Sequence, residues 1–247
     1  MNKLVEYISK KGTHVEGALF LHGVPVKVTV DPPTVSLGPA VKRIAALMPP
    51  VFFKGLKKIV ITNLMSHNED KPFNAFYSDN IIYVSYKLES EKDFIDDVVH
   101  ELAHHIEKYF YEFIYGDESI REEFIKKREK LFYALKGYGM QPPAALKTSV
   151  KYHPEIDDYL YRQIGYEKLF NFTNGIFLTP YAATSLKEYF AISFEKYFLR
   201  KTYETHMHIK KITPIVYNKI LELKENTNET QKKTRSKNTK KRSRLAR

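Results

Sequence analysis

The chain has 247 residues, enough for one substantial domain, and its 43% hydrophobic and 14% aromatic content suffices for a packed core. It contains no cysteine, so disulfides and cysteine-based zinc sites are excluded. The net charge is +11, but residues 224–247 carry ten Lys/Arg and two Glu, which leaves a net of about +3 for the rest. The basic character therefore belongs to the end of the chain.

No stretch approaches the roughly 18 consecutive apolar residues of a transmembrane helix. The chain begins Met-Asn-Lys-Leu-Val-Glu-Tyr-Ile-Ser-Lys-Lys, which lacks the apolar run of a secretory signal peptide. We therefore expect no membrane span and an intracellular location, either cytoplasmic or, in view of the basic end, nuclear or virion-associated.

Residues 1–55 are predicted to form a β-hairpin and a helix that pack on the main domain or precede it. The dipeptide His22-Gly23 marks the turn of the hairpin, because it separates two loosely alternating runs. The predicted elements are strands at residues 15–20 and 24–30, ended by Asp31-Pro32-Pro33, and a helix at residues 40–47, ended by Pro49-Pro50.

Residues 56–223 are predicted to form the main domain. A small mixed sheet followed by mostly helices indicates an α+β fold. The segment 224–247 has too few apolar residues to fold and is predicted to be a disordered tail. In chain order, we predict strands at residues 58–62 and 80–86, a helix that starts after Ser90, a helix at 117–136, an irregular region at 137–181, and helices at 185–199 and 214–223.

Residues 100–104 read His-Glu-Leu-Ala-His, and this pattern is the most informative feature of the sequence. In a helix, His100 and His104 lie about 40° apart around the axis, so both imidazoles face the same way one turn apart. Two neutral imidazoles bind Zn²⁺, and a glutamate beside them can take the proton of a water molecule. The pattern therefore indicates metal-assisted amide hydrolysis, with Glu101 as general base.

The flanking residues favour a helix that is packed on the side opposite the motif. Ser90 and Asp93 resemble a capping box, which predicts where the helix starts. His105 lies about 100° from His104, and we expect it at the surface or supporting a ligand rather than on the metal. The alternative is a surface helix whose polar residues face solvent. The apolar positions at helical spacing are Ile95, Val98, Val99, Leu102, Ile106 and Tyr109.

Such a zinc site needs a third protein ligand. Two candidates, Glu188 and Glu195, share one face of a predicted helix but lie about 10 Å apart along its axis, so both cannot bind one ion. Ser185 with Glu188 also fits a capping box, which would use the carboxylate on backbone N–H groups. Glu195 could orient one of the histidines or be solvated. Weaker candidates are His206 and His208, either as a chelating pair on a strand or at the surface, and Asp157, in a helix that looks solvated.

The segment from Tyr181 to Phe198, with its Glu-Tyr-Phe-Ala-x-x-Phe core, resembles the second motif of gluzincin peptidases. It is most similar to the anthrax lethal factor-like catalytic domains and the related Pro-Pro endopeptidases. The resemblance covers about residues 75–200. It implies a zincin-like domain in which Glu188 is the third zinc ligand and Tyr181 stabilises the tetrahedral intermediate. It also implies that an extended peptide binds along an edge strand beside the metal helix, for which residues 81–86 are the candidate, unless that strand lies inside the sheet.

We therefore expect a zinc metalloendopeptidase with one Zn²⁺ per chain, held by His100, His104 and Glu188, and with a protein or peptide substrate. Two other functions remain open at this point. One is a non-proteolytic structural protein that keeps the zinc site as part of its fold. The other is a nucleic-acid-associated, virion-type protein that contacts nucleic acid or another polyanion through residues 224–247.

Overall fold

The computed structural model describes residues 19–29, 35–63 and 74–227. Its strands form one five-stranded mixed sheet in the order β1-β2-β3-β5-β4. The inner strands β2, β3 and β5 are parallel neighbours, and β1 and β4 are antiparallel to their partners. The strands are β1 (Leu19–Leu21), β2 (Val24–Val28), β3 (Lys58–Thr62), β4 (Ala75–Ser78) and β5 (Ile81–Ser85).

Helices make up most of the rest of the described chain, which confirms the predicted α+β fold. Short 3₁₀ helices cover Pro50–Phe53 and Pro180–Ala183, and a π-helix covers Tyr159–Ile164. The α-helices are α1 (Leu37–Leu47), α2 (Glu91–Tyr109), α3 (Tyr111–Tyr115), α4 (Ser119–Gly137), α5 (Ala145–Thr148), α6 (Pro154–Asp158), α7 (Tyr166–Thr173), α8 (Leu186–Leu199) and α9 (Tyr203–Ile212), followed by a helix over residues 214–227.

The sheet begins and ends with tight hairpins whose turn residues have positive φ. His22 and Gly23, with φ of 50° and 87°, join β1 to β2, as the sequence predicts, while residues 15–18 and 30 of that prediction lie outside the described chain. Asp79 and Asn80, with φ of 55° and 63°, join β4 to β5. Two-residue turns of this handedness match the twist of the flanking strands, and Asn and Asp tolerate the conformation.

The strand β4 is missing from the sequence prediction, and it changes the position of β5. Because β4 pairs with β5 on the side away from β3, β5 lies inside the sheet and β4 forms the edge. The expectation that residues 81–86 form an edge strand is therefore wrong. The sequence of β4, Ala-Phe-Tyr-Ser, does not alternate between apolar and polar residues, and each of its residues is only half-buried. The segment therefore lacks the pattern by which a strand is predicted from sequence.

The described residues before and after position 55 share the sheet and the core. β2 pairs with β3 across that position, and α1 packs on α2. Fully buried side chains from both parts, such as Ile44, Ile61 and Val99, belong to one hydrophobic cluster. The first described strands therefore extend the same sheet that supports the rest of the molecule.

The last helix is longer than predicted and extends into the segment expected to be a tail. It continues through residue 227, and Thr227 is only 5% exposed. Lys224 Nζ donates to the Tyr197 hydroxyl at 3.4 Å, so the start of this extension contacts α8. The helix thus continues four residues past the predicted start of the tail, and the expected disorder of residues 228–247 concerns residues outside the described chain. Across the described ranges, no helix has the length and apolar composition needed to cross a lipid bilayer.

Candidate metal centre

Helix α2 forms as its capping and apolar spacing predict. Ser90 Oγ accepts from the Asp93 backbone N–H at 3.2 Å and donates to Asp93 Oδ2 at 2.9 Å, which stabilises the first turn. The apolar side packs into the core, while Tyr109, at the last residue of the helix, is 44% exposed. The buried apolar residues of this face are Phe94, Ile95, Val98, Val99, Leu102 and Ile106.

The other side of α2 carries the cluster that the motif predicts. Potential ligand atoms of His100, Glu101 and His104 all lie within 4.8 Å of one another, so this group could hold a metal ion. The side chains of His100 and His104 are 18% and 14% exposed, and Glu101 is 8% exposed, because α8 covers this side of the helix. The surface-helix alternative is therefore wrong.

Helix α8 brings Glu188 to the two histidines. Ser185 Oγ accepts from the Glu188 backbone N–H at 3.2 Å, which is half of a capping box. The Glu188 carboxylate makes other contacts: its Oε2 lies 3.1 Å from His100 Nε2, and its Oε1 lies 3.5 Å from His104 Nε2. The residue thus supplies a backbone donor to the cap and a side chain to the cluster.

The spacing of these atoms suits a shared metal ion. Two ligands at about 2.1 Å from a tetrahedral ion lie about 3.4 Å from each other. The measured separations of 3.1 and 3.5 Å between the Glu188 oxygens and the two Nε2 atoms bracket that value. One carboxylate and two imidazoles are also the donor set that zinc accepts in hydrolytic sites. The residues present therefore fit a metal ion of this kind.

Both imidazoles are fixed through their other nitrogen. His100 Nδ1 donates to Glu195 Oε2 at 3.2 Å. Glu195 thus orients the His100 ring, which is one of the two roles expected for it from the sequence. His104 Nδ1 donates to Glu107 Oε2 at 2.9 Å, and the buried Tyr115 hydroxyl donates to Glu107 Oε1. With both Nδ1 atoms bound to carboxylates, the two Nε2 atoms are the ones that could bind a metal ion. The role of Glu107 was not predicted, although its i+3 spacing from His104 is visible in the sequence.

Electrostatics also favour positive charge between the imidazoles and Glu188. Burial alone would lower the pKa of His104, but hydrogen bonds to Glu107 and Glu188 outweigh it and raise the pKa to about 9. The pKa of His100 is raised in the same way, against burial, by Glu188 and Glu195. Burial alone would raise the pKa of Glu188, yet the two histidines lower it to about 2. A site that stabilises protons on its imidazoles and a charged carboxylate favours a cation.

Glu101 is buried beside the two histidines rather than among solvent-facing groups. The Tyr77 backbone N–H of β4 donates to its carboxylate. Burial is the largest influence on the pKa of Glu101 and raises it, while His104 and His100 lower it less strongly. The edge strand of the sheet therefore contacts the residue that the motif assigns as a base.

Tyr181 lies at the border of the same cluster. It belongs to the 3₁₀ helix Pro180–Ala183, whose start is capped by Thr179 Oγ1 accepting from the Ala182 N–H. Its side chain is 39% exposed. Partial burial is the main cause that raises the pKa of its hydroxyl, and the negative charges of Glu188 and Glu101 add to it. The structure thus brings Tyr181 within electrostatic reach of both glutamates.

The helices between the two motifs hold the start of α8. The Leu186 backbone N–H donates to the Val150 carbonyl at 2.8 Å. Arg128, which is fully buried on α4, donates from Nη1 to the Ser149 carbonyl at 2.6 Å. This long insertion therefore fixes the segment next to the first turn of α8, two residues before Glu188.

The other candidates make contacts unrelated to the cluster. His105 is buried rather than at the surface: one ring nitrogen contacts the Tyr77 hydroxyl and the other the Lys54 carbonyl, so it joins α2 to β4 and to the chain after Phe53. His206 stacks on Tyr197, with ring centroids 4.7 Å apart, and both His206 and the exposed His208 lie on helix α9, not on a strand.

Asp157 also differs from its prediction. It is 8% exposed rather than solvated, and the Tyr152 hydroxyl donates to its Oδ2 at 3.1 Å. Burial is the largest cause that raises the pKa of Tyr166, and the negative charge of Asp157 raises it further. Asp157 therefore belongs to a group of tyrosines beside Tyr181.

No protein-family model matches the chain, and neither the curated proteins nor the solved structures contain a match to it. The fold and the cluster on α2 and α8 are therefore what define this site.

Proposed function

We propose that the protein is a zinc-dependent metalloendopeptidase. The observation that carries the proposal is the position of Glu188, whose two carboxylate oxygens face His100 Nε2 and His104 Nε2 at 3.1 and 3.5 Å. Glu101 belongs to the same cluster, and with Glu188 as the third ligand its carboxylate does not have to bind the ion. This arrangement leaves a glutamate beside the ion, where hydrolysis of an amide requires a base.

His100, His104 and Glu188 would hold one Zn²⁺ per chain. The donor set of two imidazoles and a carboxylate leaves one tetrahedral position open, as in catalytic rather than structural zinc sites. Zn²⁺ bound there supplies a Lewis acid that polarises the scissile carbonyl and lowers the pKa of water to about 7. Glu195 and Glu107 keep the imidazole rings in the orientation that this binding requires.

Glu101 would act as the general base and later as the general acid. Its carboxylate accepts the proton of the attacking water molecule and then delivers it to the leaving amine. The Tyr77 N–H holds this carboxylate next to the edge strand. Since β4 is the strand at the edge of the sheet, an extended substrate can add to β4 through main-chain hydrogen bonds and pass beside Glu101.

Tyr181 would donate a hydrogen bond to the oxyanion that forms on the scissile carbonyl. With a raised pKa, its hydroxyl stays protonated at neutral pH and can donate. Tyr181→Phe should retain the fold and the metal but lower turnover by roughly 100-fold or more, since single oxyanion donors contribute at this level. Steady-state kinetics would check this, with the exposed Tyr203→Phe as control. A change in KM alone would count against the assignment.

The Glu107 carboxylate gives a test of metal binding that does not depend on activity. Glu107→Gln should weaken zinc affinity by roughly 10- to 100-fold, because the amide no longer holds His104 as a charged carboxylate does. Titration against a competing chelator would measure this, and the exposed Glu112→Gln should bind zinc normally. An affinity equal to that of the unmodified protein would show that His104 is oriented without Glu107.

The experiment that tests the function is incubation with a proteome, followed by sequencing of newly formed N-termini. The protein should produce new termini that disappear after removal of metal by a chelator and return when zinc is added. Glu101→Gln protein loaded with zinc serves as the control for contaminating proteases. If one zinc binds per chain and no new termini form, the alternative of a non-proteolytic zinc-containing structural protein is favoured.

A further inference from the structure

His105 follows His104 on α2 but contacts a different part of the molecule. Its side chain is only 2% exposed, and both ring nitrogens have partners. Nε2 lies 3.0 Å from the Lys54 carbonyl, which can only accept, so Nε2 carries the hydrogen. Nδ1 of the neutral ring is then an acceptor, and the Tyr77 hydroxyl lies 3.1 Å from it. The imidazole therefore connects the edge strand β4 to the chain after the first 3₁₀ helix.

The Lys54 carbonyl is a fixed partner because it belongs to a tight turn. The Leu56 backbone N–H donates to the Phe53 carbonyl at 3.1 Å. Lys54 has φ of −64° and ψ of 124°, and Gly55 has φ of 85°, which are the angles of a type II turn. The positive φ favours glycine at this position, and Phe53 is only 3% exposed. The turn is thus anchored in the core and holds its carbonyl towards His105.

Aromatic side chains hold β4 on both of its faces. The strand has four residues and pairs with β5, and residues 64–73 before it lie outside the described chain. The Phe76 ring stacks on Tyr83 on the face away from α2, with ring centroids 4.7 Å apart. Tyr77 points to the other face, where its ring meets the His105 ring edge-on at 5.5 Å. Its hydroxyl hydrogen has an acceptor on either side, because Asn80 Oδ1 lies 2.8 Å away.

The main chain of Tyr77 faces the free edge of the sheet. Ser78 and Ile81 flank the two-residue turn, so they form a hydrogen-bonded pair, and such pairs alternate along the hairpin. The N–H and C=O groups of Ala75 and Tyr77 therefore point away from β5. The Tyr77 N–H contacts the Glu101 carboxylate, which leaves the Tyr77 carbonyl beside that carboxylate for an added strand.

We infer that Tyr77, held by His105, is a positioning residue that sets where an extended substrate lies relative to Glu101. This role rests on the proposed function, because it concerns how a peptide is placed at the metal centre. The side chain of Tyr77 fixes the strand on α2, while its main chain meets both Glu101 and the free edge. Loss of the hydroxyl leaves the ring packed but frees the strand to shift along α2, so peptide binding should weaken while the metal stays bound.

Tyr77→Phe removes the hydroxyl and keeps the ring. We expect KM for an extended peptide from the proteome experiment to rise roughly threefold to tenfold, which is what one hydrogen bond contributes. The value of kcat and the zinc affinity should stay unchanged, because the lost contact acts on bound peptide and transition state alike. The exposed Tyr111→Phe is the matched control and should alter none of the three quantities. Tyr181→Phe should give the opposite pattern, a fall in kcat.

A double-variant cycle shows whether the two residues act through one contact. His105→Gln keeps a donor for the Lys54 carbonyl and removes the acceptor Nδ1. In that background, Tyr77→Phe should raise KM no further, because residues in contact are not additive. An unchanged KM in Tyr77→Phe, an equal loss of zinc affinity, or fully additive effects in the double variant would overturn the inference.

Hydrogen exchange separates this outcome from failure of the proposed function. If the unmodified protein cleaves no peptide, the proposed function fails, and the exchange rates of the β4 amides still test the contact with His105. These amides should exchange faster in Tyr77→Phe than in Tyr111→Phe, while those of β3 should not change. Equal exchange of β4 in the two variants would show that the Tyr77 hydroxyl does not hold the strand.

Discussion

Glu101→Gln is expected to keep zinc binding unchanged and to lower peptide hydrolysis by roughly 100- to 10,000-fold, the contribution that a positioned general base makes. The substitution preserves the volume of a side chain that is only 8% exposed and keeps an acceptor for the Tyr77 N–H. It removes the group that accepts a proton. Cleavage of a peptide found in the proteome experiment, measured with zinc content on the same sample, would check both halves of this expectation.

The control for Glu101→Gln is Glu122→Gln, at a carboxylate that is 69% exposed on α4. This control should cleave at the rate of the unmodified protein. If Glu101→Gln also cleaves at that rate, Glu101 is not the base and the mechanism proposed for this cluster is wrong. If the variant instead loses zinc, Glu101 is a ligand, and the third position must be reassigned between Glu101 and Glu188.

Removal of a ligand should have the largest effect on the metal. Purified protein should contain about one zinc per chain. Residues that only orient a ligand change metal affinity by at most roughly 100-fold. His104→Ala and Glu188→Ala should each lower zinc affinity by more than that. Each substitution deletes a donor whose distance to its neighbours, 3.1 to 3.5 Å, suits a shared ion. Elemental analysis and chelator competition would measure the loss.

Two comparisons make the metal experiment specific. Glu195→Ala should reduce affinity less than Glu188→Ala, because Glu195 contacts the opposite nitrogen of His100. The exposed Glu167→Ala should retain full zinc content. Undiminished zinc in a folded Glu188→Ala protein would show that the third ligand is another residue, with Glu195 as the first alternative.

The motif on α2 could be predicted because its geometry is local. The spacing of His100 and His104 places both imidazoles on one side of any helix, and Ser90 marks the start of that helix from its own side chain. The same holds for β3, whose predicted bounds match the structure, since a short run of buried apolar residues between turn signals is itself the strand signal. For these elements, the pattern and the structure depend on the same few neighbouring residues.

Other features depended on contacts between distant segments. The sequence allowed Glu188 to cap its own helix or to face a metal, and only the packing of α8 on α2 shows its carboxylate beside both histidines. The role of His105 also needed tertiary structure, because this buried side chain contacts Lys54, which is far away in the chain.

The sequence by itself determined the class of fold, the helix that carries the motif, and the identity of the two imidazoles and the glutamate between them. These follow from periodicity and spacing, which act over a few residues. Only the tertiary structure decided that β4 is the edge strand, that the last helix runs past residue 224, and that four carboxylates surround the two histidines. Such features depend on which surfaces bury each other, and that information is spread over segments up to about 100 residues apart, such as His100 and Glu195.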